Sequence, residues 1–84
     1  MANGSIVSVS MDLRTLIGNA LFSKADYILL AHNHPGGDAT PSPEDFAATR
    51  VIEDALSKVG VRLRDHIIVG ENDVVSMREM GYLK

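Results

Sequence analysis

The chain has 84 residues, no cysteine and a formal net charge of −3, so it is one small domain at most, held by a hydrophobic core rather than by disulfides. Lys and Arg are scattered singly, giving no cationic stripe for a phosphate backbone, and direct nucleic-acid binding gets no support. No apolar run approaches the roughly 18 residues of a membrane span, and Met1 to Ser5 lacks the basic and apolar regions of a signal peptide, so a soluble cytoplasmic protein is expected.

Ile6, Val7 and Val9 are β-branched and predict a short strand over Ser5 to Val9, followed by Ser10 or Asp12 as a helix cap. Leu13, Leu16, Ile17, Ala20 and Leu21 recur at helical spacing, which predicts a helix from Asp12 to Phe22. Tyr27 to Ala31 is apolar without alternation, the pattern of a strand covered on both faces, and it leads into His32. Asn33 to Pro43 is loop text, rich in Pro and Gly. A second helix is expected from Pro43, with Ser42 as N-cap, Ala48, Val51, Ile52, Ala55, Leu56 and Val59 as its apolar set, and Gly60 as its stop. Val61 to Val69 reads as a strand, with a turn at Gly70 to Asp73, a last strand at Val74 and Val75, and Ser76 capping one further helical turn. There is no internal repeat or linker, so residues 1–84 form one α/β domain.

The chemistry concentrates in His32-Asn33-His34, seven further residues, Ser42, two more, then Asp45. Side chains two apart on an extended backbone point the same way, so both imidazoles can converge on one ion. A loop closed by Pro and Gly can return the first turn of the second helix, with Asp45, over the strand end. Two imidazoles and one carboxylate suit a single zinc ion, and three protein ligands leave a fourth position for water, as in catalytic rather than structural sites. Zinc lowers the pKa of its water to about 7 and polarises a carbonyl, so the expected reaction is acyl transfer to water, with the catalytic Ser42 hydroxyl bonding a tetrahedral oxyanion. A plainer account competes: Ser-x-x-Asp at a helix start is also a capping box, which explains Ser42 and Asp45 without a metal. His66, beside Asp65, reads as a structural histidine rather than a ligand. Gly36-Gly37 is not a phosphate loop, since no Gly-Lys-Ser/Thr follows.

At these positions the chain resembles the JAMM, or MPN+, zinc metalloproteases, whose signature is His-x-His, seven residues, Ser, two residues, Asp. AHNHPGGDATPSPED, with Gly4, Ser5, Ser8, Arg14 and the later DHIIVG and VSMREMGYL, is similar to the bacterial RadC-like (UPF0758) branch, once labelled a DNA repair protein, from Gly4 to Leu83. That branch commonly has Ser where Gly36 stands, a difference outside the metal positions. The resemblance implies an α+β fold of cytidine-deaminase-like or MPN type, with a mixed central sheet flanked by helices. It implies zinc on His32, His34 and Asp45, an oxyanion role for Ser42, and a peptide or protein substrate cleaved at an amide or isopeptide bond. It also implies a glutamate well upstream of His-x-His, yet no Glu precedes Glu44. Asp12 and Asp26, the only acids ahead of His32, read as a helix cap and a pre-strand loop residue. The expectation is therefore a partial domain, short of its first strand or two, weak or inactive as a hydrolase. An unpaired edge on the Ile6 to Val9 strand is expected to drive homo-oligomerisation. The competing reading is a non-catalytic MPN-like interaction module, or an accessory to DNA repair recruited through a protein partner.

Overall fold

The computed structural model describes residues 3–9, 11–35 and 37–83. Ser10, the alternative cap, and Gly36 lie outside them. In chain order the elements are β1 (Gly4–Ser8), α1 (Leu13–Phe22), β2 (Tyr27–Asn33), α2 (Pro43–Lys58), β3 (Arg62–Val69) and β4 (Val74–Ser76). The sheet runs β1-β2-β3-β4. β1, β2 and β3 are parallel, each joined to the next through a helix, and β4 returns antiparallel on β3. This is a mixed α+β sheet of the expected class.

Sequential parallel strands with right-handed crossovers place both helices on one face of the sheet, and α1 and α2 touch each other there. Val7, Ile28, Leu30, Leu63 and Ile68 point under the helices and are buried, meeting Leu16, Ala20, Ile52 and Leu56. The opposite face has no helix, so Ile6 is 76% and Val74 64% exposed. This revises the reading of β2. Ile28 and Leu30 are fully buried, whereas Tyr27, Leu29 and Ala31 are only half-buried. The run is apolar throughout, but only alternate side chains lie beneath a helix.

Local chemistry sets the helix ends. Asp12 accepts from the Thr15 amide and starts α1. At the end of α2, Gly60 takes φ +76°, its amide bonds the Ser57 carbonyl, and the Val61 amide reaches Leu56. This is a Schellman closure with the apolar contact that accompanies it, since Val61 and Leu56 are both buried. The capped turn expected after Ser76 is present as a single turn: Ser76 Oγ accepts from Glu79 N–H, the Met80 amide bonds the Ser76 carbonyl, and Gly81, at φ +86°, closes it with the Tyr82 amide on the Met77 carbonyl.

Candidate metal centre

The site lies at the carboxyl ends of the parallel strands, where β2 hands over to the loop before α2. The strand extends two residues beyond the expected Ala31, so His32 sits in it on the helix-covered side and His34 just follows it. The intervening loop is pinned to the β3–β4 hairpin. His34 N–H bonds the Val69 carbonyl at 2.9 Å, Glu71 N–H bonds Gly37 at 3.1 Å, and Ala39 N–H bonds the Asp73 carboxylate at 3.2 Å. Only glycine fits at position 70. A Cβ there would run into Asp73 Oδ1 and come within 2.8 Å of the Ala39 nitrogen.

α2 opens with the full capping box. Ser42 Oγ accepts from Asp45 N–H at 3.2 Å, and Asp45 Oδ2 accepts from Ser42 N–H at 2.7 Å. The plainer account of these residues is thus physically realised, and it aims the carboxylate inward. Asp45 Oδ1 lies 2.9 Å from His32 Nδ1, and Oδ2 lies 3.1 Å from His34 Nε2. One ligand atom from each of the three residues falls within 4.8 Å of the others. The three side chains therefore fit a group that could share one metal ion.

Two further features agree with that fit. His34 Nδ1 is 3.1 Å from the Asp38 carbonyl; an N–H donated there leaves Nε2 with its lone pair toward Asp45, the arrangement that orients metal-bound histidines. His32 Nδ1 is buried and, although close to Asp45 Oδ1, makes no hydrogen bond. A buried nitrogen without a partner is expensive, and a shared cation would satisfy it. Burial of Asp45 raises its carboxyl pKa, but the Ser42 amide and hydroxyl, then His32 and His34, outweigh burial and hold it below the ordinary value. The group stays anionic, as a metal ligand must.

Sequence reasoning overlooked Thr49. The buried stripe of α2 is Asp45, Thr49, Ile52 and Leu56, while Val51, assigned to the apolar set, is 55% exposed. Polar residues extending an apolar stripe toward the N-terminus were the available signal. His66 is fully buried beside His32 and outside the three-ligand group. Burial first, then the neighbouring His32, depresses its pKa, with Asp45 and Asp65 opposing. Beside His34, Asn33, Pro35, Val69, Gly70 and Glu71 line a shallow cavity of about 220 Å³.

A family model for the RadC-like JAB domain matches residues 1–82. UPF0758 proteins are similar over most of the chain. That of Pseudomonas fluorescens is 45% identical over 80 residues, covering 95% of this chain and 36% of the relative. That of Photobacterium profundum is 44% identical over 80 residues, covering 95% and 36%. One from Burkholderia cenocepacia is 41% identical over 83 residues, covering 99% and 32%. The chain thus spans about a third of the length of the curated relatives it matches.

Proposed function

The chain belongs to the RadC-like JAB domain family, and from that membership we propose that it carries a one-zinc hydrolase centre acting on amide or isopeptide bonds of a peptide or protein. The observation that carries this reading is the meeting of His32, His34 and Asp45 around one point. These three residues would hold the ion, which would supply a Lewis acid and a nucleophilic water at neutral pH. The chain's own residues do the remainder. The capping box holds Asp45 anionic and aimed at the imidazoles. Ser42 Oγ accepts from the Asp45 amide, and in this reading its proton turns from the Asp45 carboxylate to a substrate oxyanion.

Metal analysis of the purified protein tests the reading. One zinc per chain is expected in the wild type and in Asp54→Asn, an exposed control, and almost none in His34→Ala or Asp45→Ala. Equal metal content in all four ends the proposal.

A second reading takes the domain as a zinc-bearing MPN-like interaction module or an accessory in DNA repair, roles that need no general base. Zinc-loaded protein that leaves a lysine isopeptide intact by mass spectrometry favours that version, and salt-dependent DNA affinity favours its DNA-repair form.

A further inference from the structure

His66 and Thr49 are buried polar residues that the three-ligand site does not use. His66 is fully excluded from solvent in the middle of β3, and its Nε2 makes no hydrogen bond. Burying an imidazole with one ring nitrogen unsatisfied costs more than placing an apolar side chain there. Core filling alone therefore does not account for histidine at this position.

The surrounding geometry links His66 to two of the three ligands. Leu30 and His66 are register partners, which sets His32, two residues on, along the same face of the sheet. The His32 and His66 rings stack with centroids 6.0 Å apart and planes 27° from parallel. On its other side His66 Nδ1 lies 2.6 Å from Thr49 Oγ1. That same hydroxyl lies 2.6 Å from the backbone carbonyl of Asp45, one turn earlier on α2.

A threonine hydroxyl has one proton, so the direction of the chain of bonds can be argued. If Thr49 donated to His66 Nδ1, the neutral ring would carry its proton on Nε2, leaving a buried N–H without an acceptor. If Thr49 donates to the Asp45 carbonyl and accepts from His66 Nδ1–H, the unsatisfied atom is a lone pair instead. Orphaned acceptors are better tolerated than orphaned donors, and the second arrangement holds.

We propose that His66 and Thr49 are a positioning pair for the metal centre: His66 backs the His32 ring, and through Thr49 it ties that ring to the helical turn that carries Asp45. The pair couples the strand ligand to the helix ligand, so the three donors are set before any ion arrives. The role rests on the zinc reading above, and it assigns neither residue to the metal itself.

The test uses the full chain as wild type, Thr49→Val, Thr49→Ser, His66→Phe and the Thr49→Val/His66→Phe double variant. Zinc affinity is read by competition with a chromophoric chelator, and site geometry by the visible spectrum of the cobalt(II) form. Supporting partners of metal ligands are typically worth about 10- to 100-fold in affinity, so Thr49→Val and His66→Phe are each expected to weaken zinc by that factor and to alter the cobalt bands. Thr49→Ser, which keeps the hydroxyl, restores wild-type affinity and spectrum. The double variant is no weaker than the worse single one, because both substitutions break the same link. Folded variants with unchanged affinity and spectrum overturn the proposal, as does an equal loss in Thr49→Ser and Thr49→Val. If His66→Phe fails to fold, the two Thr49 variants decide. Wild-type protein that binds no zinc ends the metal reading and this role together; wild type that binds while the variants match it ends this role alone.

Discussion

Ser42 caps α2, and the oxyanion role proposed for it separates from the cap by substitution. Its oxygen accepts from the Asp45 amide, while on the zinc reading its proton would turn from the Asp45 carboxylate to a substrate oxyanion. Asparagine caps about as well as serine but has no hydroxyl to donate from that position. Ser42→Asn is therefore expected to unfold at the wild-type temperature and bind zinc normally, while any zinc-dependent amide hydrolysis falls by about 10²–10³-fold, the usual effect of losing one oxyanion donor. Thermal unfolding and turnover on one preparation check this; undiminished turnover in Ser42→Asn would remove Ser42 from the chemistry and leave it a cap. The convergence of His32, His34 and Asp45 was readable in the sequence because His-x-His followed at fixed distance by a helix start brings them together. Thr49 was not, since it reads as an ordinary helical residue until the fold puts it under His66.

At the scale of elements, the ends of α1 supply two predictions. The Thr15 amide, and then its side chain, hold the Asp12 carboxyl below its ordinary value of 3.8. A carboxyl whose folded pKa is depressed contributes stability that is complete above the unfolded pKa and is lost as pH falls through the folded one. Any advantage of the wild type over Asp12→Asn, which still caps but does not titrate, should therefore hold above about pH 5 and vanish by about pH 2. A pH-independent gap in thermal unfolding would count against the titration of Asp12 as its source. At the other end, Lys24 takes φ 55°, with its amide on Leu21 and the Ala25 amide on Ala20. This is the left-handed closing position of a Schellman motif, where a Cβ is strained and glycine is not. Lys24→Gly should stabilise the fold by about 1 kcal/mol, seen as a higher urea midpoint at constant m. The sequence read the start of this helix from Asp12 but offered no stop signal for it, because the residue doing the work of glycine is a lysine.

For the whole molecule, the consequential feature is a sheet with helices on one face and β1 at one edge. Among the described residues β1 pairs with β2 alone, and its outward Ile6 is 76% exposed. Unprotected apolar edges recruit further strands, so self-association of this chain is the expected outcome. Sedimentation velocity should give a mass that rises with concentration, and Ile6→Lys should return it toward the monomer. A clean monomer for the wild type at every concentration counts against the edge as an interface. No helix among the described residues is long and apolar enough to cross a membrane.

What the sequence determined by itself was local and periodic. The capping serine, the proline at its shoulder, the alternating and helical apolar patterns and the spacing of three donors are all encoded within a turn or two of chain, and local sterics and hydrogen bonding act over that range. The tertiary structure decided what depends on residues distant in the chain. Both helices on one face leave half of β2 uncovered although every residue of its apolar run looks fit for a core. The hairpin around Gly70 grips the loop between β2 and α2, and His66 on β3 meets Thr49 on α2 because β2 and β3 pair in one register and not another. Those contacts are set by sheet register and crossover hand, which belong to the assembled chain rather than to any segment of it.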